Sequence, residues 1–174
     1  LVERGHSQAP QLAVALLLAM PATPADLLHA NTRVYTQAHG WAAAAALLLG
    51  QLSEVQSQSH RTQLRHPLPH TTAAHNPENR LDGLPQMWDA NPQATLALLR
   101  HSRNLLVQWV MARTLQDQPA WLAELPPSVV GELLASRFTH TAELGLTVAQ
   151  AHLARLPAHQ RLPWWLALAR STHP

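Results

Sequence analysis

The sequence predicts an all-α protein, an irregular helical bundle or helical-hairpin array of about seven helices split by a long Pro/His-rich loop. Three observations predict it. Apolar residues recur at spacings of three and four, as in Trp41, Ala45, Leu48, Leu49, Leu52 and Val55. No stretch alternates apolar and polar residues over the length of a strand. Only six of the 174 residues are Gly, too few for the many turns of a β-rich fold.

Each element has its own start and stop signals. Pro10–Met20 reads as a helix stopped by Pro21. Thr23, Pro24 and Asp26 open a second helix: a cap, a tolerated first-turn proline and an acid at the positive end of the dipole. It runs through Leu27, Leu28, Val34 and Tyr35 to Gly40. Trp41–Ser57 continues as a third. From His60 to Pro92, five prolines break any regular element, leaving an irregular segment of roughly thirty residues. Asn91-Pro92 opens a fourth helix, which reads through Leu96, Leu99, Leu105, Leu106, Trp109 and Val110 to Leu115. Gln118–Leu125, Ser128–Phe138 and a helix from Thr141 to near Pro157 follow, and Leu162–Arg170 closes the chain. The expected organisation is one domain over 1–174, with helical halves at 10–58 and 93–171 and a connector at 59–92.

Composition narrows the function. There is no Cys, which removes thiol nucleophiles, CxxC redox pairs and Cys-based zinc sites. All twelve basic residues are Arg, so a P-loop lysine and Schiff-base chemistry are excluded as well. The Arg and Ala bias reads as a GC-rich genome. Charged residues are 13% of the chain, against roughly 25% in ordinary domains. A surface with so little charge is expected to be covered in part by a partner. The apolar runs Leu12–Met20 and Trp41–Leu49 are about half the length of a membrane-spanning helix. The first resembles the apolar core of a secretory signal over 12–25, but Glu3 and Pro24 disfavour it. A cytoplasmic protein without a membrane span is the expectation, and Leu1 in place of an initiator Met suggests a fragment or processed form.

The ten acids form no close pair for acid–base work. HExxH, GxSxG and GxGxxG are absent. The expectation is therefore a protein that is not an enzyme and needs no cofactor. His66, His70 and His75 are the weak candidates for a metal, set on a loop that gives no rigid frame. Six Trp against one Tyr and one Phe is an unusual balance. Trp41 and Trp109 lie on apolar faces and read as core. Trp88, Trp121, Trp164 and Trp165 are the expected partner-binding anchors. Neighbours on a helix are about 100° apart, so Trp164 and Trp165 cannot both point inward.

Two local patterns carry resemblances. Thr141–Val148 followed by Ala151–Leu156 resembles the turn and second helix of a helix-turn-helix, although Pro157 cuts the second helix short. Arg61, Arg65, Arg100, Arg103, Thr147 and Arg155 would then contact nucleic acid. Leu28, Tyr35, Gly40, Trp41, Ala44 and Leu48 resemble the alternating large and small positions of a tetratricopeptide-like helical hairpin. The match covers one repeat around 24–57, with Gly40 one place late. It implies antiparallel helix pairs and a binding surface. The leading expectation is a non-catalytic adaptor that binds a protein partner or itself. The alternative is an all-α DNA-binding or regulatory domain.

Overall fold

The computed structural model describes residues 8–22, 35–37, 55–58, 61–64 and 82–169. Helices dominate the described residues, as expected of an all-α chain. None of them is long and apolar enough to cross a membrane.

The first helix, α1 (Ala9–Leu18), starts on Pro10 and buries Ala13 and Leu17. Three short strands follow: β1 (Tyr35–Gln37), β2 (Val55–Gln58) and β3 (Arg61–Leu64). They form an antiparallel sheet in the order β1-β3-β2, with Val55 opposite Leu64 and Tyr35 opposite Gln63. This corrects the helical reading of Tyr35 and Val55. Tyr, Thr and Val favour extended backbone, and segments of three and four residues are too short to display a period of two. The rest of the tetratricopeptide-like match at 24–57 lies outside the described residues.

The connector holds a helix as well. Residues Pro85–Asp89 form α2, with Pro85 at its first turn, and Trp88 is fully buried. A proline read as a breaker is here a starter, because the first-turn N–H has no intrahelical partner to lose. The Gln118 side chain donates to Asp89 Oδ1 at 2.9 Å and ties this helix to the later part of the chain.

The helix expected from Pro92 to Leu115 is two: α3 (Pro92–His101) and α4 (Leu105–Gln116). The break has a side-chain cause. Ser102 Oγ accepts from the Asn104 N–H at 3.2 Å. Asn104 Oδ1 accepts from the N–H groups of Leu106 and Val107 at 3.0 and 3.3 Å, capping α4. Asn104 Nδ2 donates to the Pro21 carbonyl at 2.9 Å, which anchors the end of α1. Asn104→Ala therefore loses a cap and a tertiary bond, an expected cost of about 2 kcal/mol. Asn104→Ser keeps an acceptor and loses only the bond to Pro21, so its cost should be smaller. Urea denaturation of the two variants checks this order.

Helix α4 is the centre of the fold. Every residue from Leu105 to Ala112 is buried. A helix apolar on all sides must be covered on all sides. The cover comes mainly from α2 and α3 and, among the elements after it, from α5 (Pro119–Leu122) and α7 (Thr139–Arg155); between these two in the chain lies α6 (Pro127–Leu134), and α8 (Leu162–Leu168) follows α7. The chain thus makes two helical hairpins, α3–α4 and α6–α7. They stack in parallel, α3 against α6 and α4 against α7, and α8 packs on α6 and α7.

Helix α7 runs unbroken through Gly145. The helix-turn-helix resemblance required a turn there, so that reading is corrected. Gly145 serves packing instead. A Cβ on it would lie 3.0 Å from Leu133 Cβ and from the Leu134 backbone nitrogen. The bare Cα lets α6 and α7 approach closely. Thr147, expected to contact nucleic acid, sits mid-helix and donates from Oγ1 to the Glu143 carbonyl at 3.0 Å.

Candidate functional site

Two surfaces stand out, and the same hairpin stack positions both. The first is the outer face of α8. Trp164 and Ala167 turn inward, and the Trp164 ring stacks on His152 of α7 at 3.9 Å between centroids. Arg161 Nε donates to the Leu156 carbonyl at 2.8 Å and sets the entry of α8. The opposite face carries Leu162, Trp165 and Leu166, which are 65, 56 and 57% exposed. Their spacing of three and four puts them in one stripe.

Of the four Trp expected to bind a partner, Trp165 alone is exposed. Trp88 and Trp164 are core residues, at 0 and 5% exposure, and that assignment is corrected. Trp121 is half-buried against the core. The 100° step between neighbours sends Trp164 in and Trp165 out. Trp88 is drawn in as the largest apolar group of its five-residue helix, with Met87 beside it packed partly against the same core.

The second surface is a cleft of about 750 Å³ between the α3–α4 and α6–α7 turns. Arg100, His101, Ser102 and Arg103 line it from one turn, and Ser136 and Arg137 from the other. Arg100 Nε pairs with Glu132 Oε2 at 2.6 Å, joining α3 to α6 along one wall. Arg137 Nη2 donates to the Arg103 carbonyl at 3.5 Å, and its guanidinium lies 4.8 Å from the centre of the Phe138 ring. In the floor, Gln108 Nε2 donates to the carbonyls of Leu98, Leu99 and Ser102 at 3.3, 3.0 and 2.8 Å. Gln108 Oε1 accepts from Thr141 Oγ1 at 2.5 Å, which locks α4 to α7.

The cleft gathers two of the expected nucleic-acid residues, Arg100 and Arg103, and omits the others. Arg155 is exposed at the far end of α7. Arg61 lies in β3. Arg65 and the metal candidates His66, His70 and His75 lie outside the described residues. Arg113, elsewhere on α4, has its pKa lowered by burial, with Asp117 opposing the shift.

Sequence reasoning missed Arg137, Ser136 and His101. A signal was present: Ser-Arg recurs at 102–103 and 136–137, an interval of 34 residues. Each copy follows a Leu-Leu pair and ends a first helix. In each, the Ser hydroxyl accepts from a backbone N–H two residues on, at 3.2 Å both times. Equivalent turns in stacked hairpins lie side by side, and this brings Arg103 and Arg137 together. Comparison with protein-family models, with curated proteins and with solved structures found no match.

Proposed function

We propose that this chain is a non-catalytic protein-interaction domain whose stacked helical hairpins present the outer face of α8 to another helix. The observation that carries this reading is the Leu162, Trp165 and Leu166 stripe. Large apolar side chains more than half exposed in one row are a binding feature in a chain this poor in charge. Trp is also the residue most enriched at interface hot spots. The stripe fits an amphipathic helix laid along it. The α8 helix of a second copy is the nearest such occupant, since a two-fold contact sets the same stripe against itself.

Sedimentation equilibrium of the intact chain tests this. The expected result is a dimer for the wild type and a monomer for Trp165→Glu, with unchanged far-UV circular dichroism. An exposed site tolerates the charge in the monomer, whereas the buried centre of an interface does not. A wild-type chain that stays monomeric at high micromolar concentration overturns the self-association. So does a Trp165→Glu chain that still dimerises.

A further inference from the structure

We infer that the cleft between the α3–α4 and α6–α7 turns binds an acidic peptide segment through Arg103 and Arg137. This deepens the interaction reading by naming the chemistry of a partner, and it rests on that reading. It uses a surface separate from the α8 stripe.

Three features point to a negatively charged ligand. First, Glu132 is the one acidic residue lining the cleft, and Arg100 already engages it. Arg103 and Arg137 carry their charge with no carboxylate partner among the described residues. Second, Arg137 is preorganised. The Arg103 carbonyl and the Phe138 ring hold its guanidinium, so a ligand meets a donor fork already ordered. A guanidinium fork pairs bidentately with a carboxylate. Third, the two arginines come from equivalent turns of adjacent hairpins. Packed helices are about 8–10 Å apart, the span of about three residues of a polyproline II chain, in which side chains i and i+3 share a face. A peptide with acids three residues apart matches that repeat.

A peptide fits better than a nucleic acid. Nucleic-acid binding needs a long basic stripe that neutralises many phosphates, often with exposed aromatic rings to stack on bases. The cleft offers three arginines, one of them paired, and Phe138 is buried.

Fluorescence anisotropy of the intact chain supplies the test. The probes are a labelled peptide with Glu at every third position among Ala, the same peptide with Gln for Glu, and a single-stranded oligonucleotide of equal charge. The expected result is salt-sensitive binding of the Glu peptide and none of the Gln peptide. The Arg103→Ala/Arg137→Ala double variant should bind about tenfold or more weakly, equivalent to about 1.4 kcal/mol. Both arginines are exposed, so the variant should keep its circular dichroism. Arg155→Ala, remote from the cleft, should bind as the wild type does. Equal binding of the Gln peptide, or full binding by the double variant, overturns the proposal. Preferential binding of the oligonucleotide, lost in the double variant, also overturns it and makes the cleft a nucleic-acid site. Trp165→Glu separates the two readings: it should abolish the dimer and leave Glu-peptide binding intact.

Discussion

Replacing Gln108 with Leu should lower the free energy of unfolding by about 3 kcal/mol, although Leu is similar in size and more apolar. Gln108 is fully buried where α3, α4 and α7 meet. Its amide nitrogen serves the carbonyls that end α3, and its oxygen accepts from Thr141 of α7. The Leu98 carbonyl keeps a second partner, the Ser102 N–H at 2.9 Å. The Leu99 and Ser102 carbonyls and the Thr141 hydroxyl lose their bonds to Gln108. A buried polar group stripped of its partner costs about 1–3 kcal/mol, and added apolar burial offsets only part of three such losses. The Gln108→Leu/Thr141→Val double variant removes one stranded group and should recover about 1 kcal/mol relative to Gln108→Leu. Urea denaturation of the four chains closes the cycle. Additive losses would show that Gln108 and Thr141 act independently, contrary to the 2.5 Å bond between them.

Gln108 also shows where the sequence was readable and where it was not. The apolar positions of the helices from Pro92 onward follow from spacing alone, and the elements expected after Gln118 appear within a few residues of their predicted ends. What spacing does not reveal is a polar residue inside the core. Gln108 stands in an apolar run, LLVQWVM, and nothing local says that its amide will close the α3–α4 turn. The break at residues 102–104 escaped for the same reason. Leu96, Leu99, Leu105 and Leu106 keep a helical rhythm across it, so periodicity bridges a gap that Ser102 and Asn104 create by capping. Trp88 was misassigned because a proline-rich segment reads as loop until one proline is recognised as a helix start. The strands escaped because pairing between residues distant in sequence, such as Tyr35 with Gln63, decides a segment of three or four residues. The cleft was half legible. Arg100 and Arg103 were singled out by charge, but Arg137 required the recurrence of the Ser-Arg turn to be noticed.

Gly145→Val should cost about 3 kcal/mol or more, whereas Gly131→Ala should be neutral or stabilising by up to about 1 kcal/mol. Both glycines lie inside helices and both are buried, so helix propensity alone predicts a gain at each site on replacement by Ala. The space around them separates the two. At Gly131 an added Cβ meets the Ala167 Cβ at 3.6 Å, an ordinary contact that lets the lower backbone entropy of Ala act. At Gly145 it meets Leu133 Cβ and Leu134 N at 3.0 Å and the Leu133 carbonyl carbon at 3.2 Å. Two of those atoms are backbone, so no rotamer change can relieve the clash, and α6 must move off α7. Val adds two methyl groups beyond that Cβ and is β-branched in a helix, which raises the cost further. The movement reaches the binding surfaces, because α6 carries Glu132 on the cleft wall and supports α8 through Gly131 and Ala167. Thermal unfolding with Glu-peptide titration of the same variants reads both effects. Gly145→Val should lose stability and weaken the cleft, and Gly131→Ala should change neither adversely. A Gly145→Val chain as stable as the wild type would mean that α6 and α7 do not approach as closely as the bare Cα allows, and the stacked-hairpin account of the cleft would fall with it.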